Sequence, residues 1–250
     1  MAMDKNSNAF TFGFAIIMVV VVGTILSALA IGLKPLQLKN EADKKRIDIL
    51  NAIDVDASRD NAAELFDKYV TERVVIDYDG NEISSNTGEI DQLDEQDAFN
   101  VNIRAQYRDK SIPQEERLYP YYRCEKDGST YYVMPMIGNG LWGAIWGFVA
   151  IKDDYTTIYG ASFDHATETP GLGAEISLPV FSDPFQGKKI LDENGNYKSI
   201  TVKKGGAEEG NPHQVDGITG GTITSDGVTE MLQRTLKVYS QYFNKNKQNA

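Results

Sequence analysis

The stretch from Asp216 to Ser225 places three threonines and three glycines directly before a segment with helical periodicity. Gly220 and Gly221 keep side chains away from Thr222, so a bulky group can reach the hydroxyl of this threonine. The first amide groups of a helix carry partial positive charge and favour a nearby phosphate. The stretch therefore predicts a threonine that can carry a phosphate ester. A loop that simply leads into a capped helix is the structural alternative.

The segment from Thr167 to Gly173, TETPGLG, predicts a rigid turn. Its proline fixes one φ angle, and its two glycines permit positive φ on either side of a single leucine. Such a turn presents backbone amides and one apolar side chain, which suits a planar heterocyclic ligand. A turn with a purely structural role is the alternative interpretation.

The segment from Gly138 to Gly143 formally matches the dinucleotide-binding pattern G-x-G-x-x-G. That fingerprint must follow a strand and open a helix, whereas residues 144–148 continue with strand-like texture, so we exclude it. As a turn, the segment lets backbone approach a flat ligand, and Trp142 offers a ring for stacking. A buried core position explains Trp142 equally well.

The composition excludes several other kinds of site. The chain has one cysteine, Cys124, and two histidines, His165 and His213, so we expect no disulfide within the chain, no cysteine-ligated cluster and no metal site. We expect Cys124 to be an inert thiol and His165 to form a structural hydrogen bond with Glu168. Asp and Glu total 36 against 25 Lys and Arg, a net charge of −11 that disfavours nucleic-acid binding.

Together, the three glycine-rich segments resemble those of covalent FMN-binding domains. The run D-x-x-T-G-G-T that ends at Thr222 is similar to the D-x-x-[S/T]-G-A-T signature of domains that hold flavin through a threonine phosphoester. Gly221 stands where alanine is usual in that signature. Residues 168–173 resemble the E-T-P-G-L-G segment of the same domains, and residues 140–143 resemble their aromatic turn.

The resemblance implies a set of flavin-binding residues. Thr222 is the implied attachment point, with Thr224 as the second candidate acceptor, and Asp216 belongs to the signature that a separate flavin transferase reads. The other implied cofactor-binding residues are Thr219, Gly220 and Gly221 beside the acceptor, Thr169, Gly171 and Leu172 along the isoalloxazine, Trp142 packed against it, and Lys204 near the flavin or its phosphate.

Over its whole length, the chain is similar to the C-subunit family of Na⁺-translocating NADH:quinone reductases, with the G-subunits of the Rnf ferredoxin:NAD⁺ complexes as the close alternative. The first resemblance implies an electron-carrying member of a six-subunit respiratory complex, which couples NADH oxidation and quinone reduction to sodium export. It also implies the cell inner membrane, with the flavin domain on the periplasmic side. A membrane-anchored binding domain without a redox role is the third alternative.

The uncharged run from Phe10 to Leu33 predicts a helix that crosses the membrane. Its 24 residues span about 36 Å at about 1.5 Å per residue. A signal peptide cleaved near Ala30 is the alternative. The five basic residues between Lys34 and Arg46 would by themselves place the large domain in the cytoplasm, opposite to the family.

The remaining pattern predicts an α+β domain with an antiparallel-rich sheet and flanking helices. We expect a cytoplasmic tail over 1–9, a transmembrane helix over 10–33, a connecting helix and linker over 34–58, and a periplasmic FMN-binding domain over 59–250. The expected helices cover 40–53, capped by Asn40, 61–72, and 226–243, capped by Ser225. The expected strands cover 74–76, 131–136, 147–151, 155–160 and 200–203, and the acidic residues 77–100 form a solvated loop.

Overall fold

The computed structural model describes residues 8–249 and begins with one long helix, α1 (Asn8–Ala52). The chain divides into two compact units between Lys45 and Arg46. Within the described residues, one helix, α1, is long and apolar enough to cross a membrane, by length and composition. The helix passes through Asn40 without a break, so the prediction of a separate helix capped by that residue was wrong.

A six-stranded antiparallel sheet forms the centre of the second unit, in the order β2-β1-β3-β4-β5-β6. This sheet confirms the predicted α+β class. Its strands are β1 (Val70–Ile76), β2 (Glu82–Asn86), β3 (Tyr119–Lys126), β4 (Ser129–Asn139), β5 (Ala144–Lys152) and β6 (Ile158–His165). A separate parallel pair consists of β7 (Thr201–Lys203) and β8 (Gln214–Asp216).

Four further helices lie around the sheet: α2 (Ala62–Tyr69), α3 (Ile103–Arg108), α4 (Pro179–Ser182) and α5 (Thr222–Asn249). Helix α5 begins four residues before its predicted start, so Ser225 lies inside its first turn and the predicted cap was wrong. The Ser225 amide donates to the Gly221 carbonyl at 2.9 Å, and its hydroxyl accepts the Ile218 N–H at 3.1 Å.

Both faces of the sheet are covered by apolar side chains. One face packs against α5, whose fully buried members are Val228, Met231, Leu232, Leu236 and Tyr239. The opposite face packs against α2 and the last turns of α1, with Ile49, Leu50, Ala52, Ile53 and Phe66 in its core. Residues 46–53 therefore belong to the globular core, although the sequence assigned them to a connecting helix outside the FMN-binding domain.

The acidic region 77–100 is more ordered than the predicted solvated loop. It contains β2, and its Asp97 forms a buried ion pair with Arg73 of β1, with Nη2 and Oδ2 2.8 Å apart. The same guanidinium donates to the carbonyls of Gly88 and Glu89. Charge density alone could not reveal this anchor, because the partner lies outside the acidic run.

Two other predicted boundaries shift for local backbone reasons. Strand β1 already begins at Val70, so the preceding helix ends three residues before its predicted end. Strand β6 begins at Ile158 rather than at residue 155, because Tyr155 adopts a φ of 56° in the preceding turn. Cys124 lies buried in β3, where burial raises the pKa of its thiol, in agreement with an inert role.

Candidate cofactor site

Three loops meet at the start of α5, and each contains one of the glycine-rich segments. The first is the β4–β5 hairpin turn, closed by a 2.8 Å hydrogen bond from the Gly140 N–H to the Gly143 carbonyl. The second follows β6, and the third leads from β8 into α5. The hairpin confirms the interpretation of residues 138–143 as a turn between strands rather than a dinucleotide fingerprint.

The carboxylate of Glu168 joins the three loops. Its Oε1 accepts the Trp142 N–H at 2.8 Å, and its Oε2 accepts the Thr224 hydroxyl at 2.6 Å. The backbone N–H of Glu168 donates to His165 Nδ1 at 3.1 Å, which confirms the predicted structural bond. Because its carboxylate accepts from both Trp142 and Thr224, Glu168 holds the hairpin and the helix start in fixed relative positions.

Glycines make room for this carboxylate. A Cβ added to Gly140 would lie 2.5 Å from Glu168 Oε1, and one added to Gly173 would collide with both Glu168 Oε2 and Thr224 Oγ1. Any larger residue at either position would displace the carboxylate or the helix start. The sequence marked these glycines as turn formers, whereas the structure shows that they allow close packing around a buried acid.

Thr222 is the first residue of α5 and is half-buried. Before it, Gly220 has a φ of 78°, and a Cβ at this position would lie 2.6 Å from Leu172 Cδ2. The first N–H groups of any helix lack partners within that helix and carry partial positive charge. Thr222 therefore offers its hydroxyl beside a site that favours anions, as the sequence predicts.

Apolar side chains are exposed around the same helix start. Trp142 is 66% exposed, Ile223 is 55% exposed and Leu172 is 41% exposed, and Leu141 is exposed beside Trp142. We call these four side chains the apolar rim. The exposure of Trp142 rules out the alternative of a buried core position. Ile223 is a member that the sequence did not single out, because a helical position alone does not reveal which side is uncovered.

Thr224 is not available as an acceptor. It is 1% exposed, and its hydroxyl already donates to Glu168. Thr219 is exposed, and Thr169 is exposed in the loop where its carbonyl accepts the Leu172 N–H at 3.1 Å. The two threonines of the helix start therefore differ sharply, because only Thr222 retains a hydroxyl that is partly open to solvent.

Three predicted site residues remain: Gly171 lies in the loop after β6, Lys204 follows β7, and Asp216 is the last residue of β8. Gly171 has a φ of 76°, and its N–H donates to Glu175 Oε1 at 2.9 Å. Asp216 ends β8, where its Oδ1 accepts the Ala207 N–H at 2.6 Å. Lys204 is exposed directly after β7. The Asp216 carboxylate thus fixes the loop that follows Lys204.

These features fit FMN. Its flat ring system matches the exposed apolar rim, and its phosphate matches a helix N-terminus with an accessible hydroxyl. The absence of a side chain at Gly220 lets Leu172, a member of the apolar rim, pack directly against the backbone before Thr222. Within residues 8–249, no group of three or more His, Cys, Asp or Glu side chains could hold a metal ion.

Comparison with known proteins agrees with this geometry. Residues 140–237 match the model of the FMN-binding domain. The C-subunit of the Na⁺-translocating NADH-quinone reductase of Vibrio vulnificus is 33% identical over 228 residues, which cover 90% of this chain and 89% of the relative. The crystal structure of the C-subunit from Parabacteroides distasonis is 38% identical with a TM-score of 0.72, and the match covers 84% of this chain and 96% of that chain. NqrC of Shewanella oneidensis is 26% identical with a TM-score of 0.66, and the match covers 83% and 98%.

The fold, the site and the matched model define a protein with an FMN-binding domain behind one apolar N-terminal helix. The relatives identify the family within this class of FMN-binding proteins. The chain belongs to the NqrC family, the C-subunits of the Na⁺-translocating NADH-quinone reductases. Between the two complexes that the sequence left open, these relatives favour the sodium-translocating one over the Rnf type.

Replacing Glu168 with alanine is expected to lower the free energy of unfolding by about 2–4 kcal/mol, because the buried Thr224 hydroxyl and the part-buried Trp142 N–H both lose their acceptor. Urea unfolding of the purified chain measures this loss. Glu175→Ala is the matched control in the same loop, since Glu175 accepts one backbone N–H in a less buried place. We expect the control to cost no more than about 1 kcal/mol. Equal losses in the two variants would contradict the special role of Glu168.

Proposed function

We propose that the chain carries FMN through a phosphoester to Thr222 Oγ and passes electrons as the NqrC component of a Na⁺-translocating NADH:quinone reductase. The observation that carries the proposal is the position of Thr222, half-buried at the first residue of α5 and preceded by two glycines. A phosphate on this hydroxyl lies next to the N–H groups at the helix start.

The residues around Thr222 have complementary tasks in this proposal. Trp142, Leu172 and Ile223 supply apolar surface for the isoalloxazine, while Glu168 holds the hairpin turn and the helix start at a fixed separation. FMN, when bound, supplies the redox chemistry, and the polypeptide tethers it and sets its surroundings. We assign no catalytic acid or base to the chain, so its part in the enzyme is that of an electron carrier.

The location and the partners of the chain belong to the same proposal. The relatives are named as subunits of a Na⁺-translocating NADH-quinone reductase, which supports other subunits of a membrane complex as partners. That the complex has six subunits in all is part of the proposal. We propose the cell inner membrane, with α1 as a retained single-pass anchor and the flavin domain in the periplasm. A separate flavin transferase installs the cofactor there, where an untethered FMN would be lost by diffusion.

Peptide mapping of the flavin tests the attachment. The full chain, co-expressed with a flavin transferase, should give a fluorescent band in a denaturing gel. Digestion should then yield one fluorescent peptide that contains Thr222 and is heavier by one esterified FMN. An unlabelled chain would refute covalent attachment and favour an anchored binding domain without a redox role. A label on another peptide would refute Thr222 as the site.

A further inference from the structure

A cavity lies where β3 and β4 separate, and it is lined by none of the residues assigned to FMN. The hydrogen-bonded ladder between these strands ends at the pair Tyr122 and Val133, although both strands continue beyond it. Pro120 of β3 and Pro135 of β4 both lie beyond this last pair, and both line the cavity. Since proline has no N–H, neither residue can donate a ladder bond, and the sheet opens at this point.

The opening forms a cavity of about 30 Å³. A buried water needs about 10–15 Å³, so this space suits a group of two or three water-sized parts. The strands contribute mainly apolar lining, and the polar members come from α5, from the segment before β3 and from α3. The α3 member Gln106 already accepts the Leu118 N–H through its Oε1 at 2.8 Å. The apolar lining residues are Ile103, Leu118, Pro120, Pro135, Met136 and Ile137.

Thr235 of α5 brings an unused hydroxyl to this cavity. The residue is 4% exposed, and within the described part of the chain its Oγ1 has no hydrogen-bond partner. Two neighbouring side chains already form hydrogen bonds of 2.6 Å: Tyr239 donates to the Pro120 carbonyl, and Arg234 donates to the Ile137 carbonyl. A buried hydroxyl without a partner costs free energy, so this group indicates an occupant that accepts or donates a hydrogen bond.

Two guanidinium groups line the same cavity. Arg234 and Arg117 lie over the Tyr107 ring, with their Cζ atoms 4.7 and 5.5 Å from its centroid. Arg117 uses Nε and Nη2 to bind the Ile112 carbonyl, and Arg234 uses Nε to bind Glu230. Each guanidinium has five N–H groups and so retains further donors. Arg234 is paired with Glu230, so the net positive charge of the lining comes mainly from Arg117, which favours an anion in a chain with a net charge of −11.

We propose that the cavity binds a small carboxylate anion of the size of formate or acetate. The Thr235 hydroxyl donates to one carboxylate oxygen, and Arg117 and Arg234 donate to the anion from the charged side of the cavity. The apolar remainder, a hydrogen or a methyl group, lies against Met136, Pro120 and Pro135. This site is distinct from the proposed FMN site and does not depend on it, although both use residues of α5.

The proposal is tested by titrating the full-length chain in detergent with ¹³C-labelled acetate. Binding is detected as NMR line broadening of the acetate signal, and chloride keeps the ionic strength constant. We expect saturable binding that is weakened about tenfold in Thr235→Val, which keeps the shape of the side chain and removes the hydroxyl. Ser199→Ala removes another fully buried hydroxyl outside the cavity and should bind acetate like the parent chain.

A second variant covers the case in which Thr235→Val does not fold. Arg117→Gln removes one charge from the cavity lining and should also weaken acetate binding at least fivefold. Saturable binding that falls in Thr235→Val or Arg117→Gln but not in Ser199→Ala supports the site. Absence of saturable binding would overturn it, because the cavity would then hold water alone. Equal displacement of acetate by chloride would overturn the assignment to a carboxylate.

Discussion

Replacing Thr222 with valine is expected to abolish the covalent flavin completely. Valine keeps the size and branching of threonine but has no oxygen, so no phosphoester can form at the start of α5. The side chain is half-buried and takes part in no hydrogen bond that holds the three loops together, so the fold should survive. In-gel fluorescence and intact mass of the chain co-expressed with a flavin transferase measure the loss.

The matched control is the same substitution two residues away. Thr224→Val removes the other candidate hydroxyl, which is buried against Glu168, and should therefore leave the flavin label in place while lowering stability by about 1–3 kcal/mol. Thr222→Ser should restore label relative to Thr222→Val, because it returns the oxygen. A labelled Thr222→Val chain, or loss of label only in Thr224→Val, would contradict the assignment.

Removing residues 1–58 is expected to unfold the globular unit, although the sequence alone placed the domain boundary there. The deletion takes away Ile49, Leu50 and Ile53, all fully buried against the sheet. Full burial of such a side chain contributes about 1.5–3 kcal/mol, so the three together contribute roughly 5–9 kcal/mol. That is comparable to the whole stability of a typical domain, about 5–15 kcal/mol.

Two polar contacts would be lost with the same residues. Lys126 Nζ donates to the carbonyls of Ile53 and Asp54 at the end of α1, at 3.0 and 2.8 Å. A chain that begins at residue 40 keeps these contacts and the buried side chains, so it is the control. Thermal unfolding followed by circular dichroism should show a cooperative transition for the 40–250 chain and none for the 59–250 chain. Equal melting temperatures would contradict the assignment of residues 46–53 to the core.

The sequence predicted features that depend on local chemistry. Turns appear where glycine and proline cluster, as at residues 138–143 and 167–173, and the long uncharged run appears as an apolar helix. Residue pattern also indicated several helices and strands, because alternation and helical spacing report which side chains face a core. It did not reveal β2, β3 or β8. The sequence placed Thr222 in a glycine-rich loop shortly before a helix, whereas the structure makes it the first residue of α5.

Features that depend on distant partners could not be predicted. In the sequence, Glu168 is an ordinary acidic residue in a predicted turn. Its role depends on contacts with Trp142 and Thr224, which are 26 and 56 residues away. Arg73 gives Asp97 its role in the same way, across 24 residues. The opening between β3 and β4 also depends on pairing, since Pro120 and Pro135 line one cavity only after the hairpin has formed.

The apolar rim has a consequence for the order of biosynthesis. Before it carries a cofactor, the folded chain presents an indole and three aliphatic groups to water at one spot. Such a spot promotes self-association, and a flat tricyclic ring laid over it would shield it. We therefore expect the chain to receive its flavin first and to join a larger assembly afterwards. Chaperones and proteases could then recognise molecules without flavin by their exposed apolar rim.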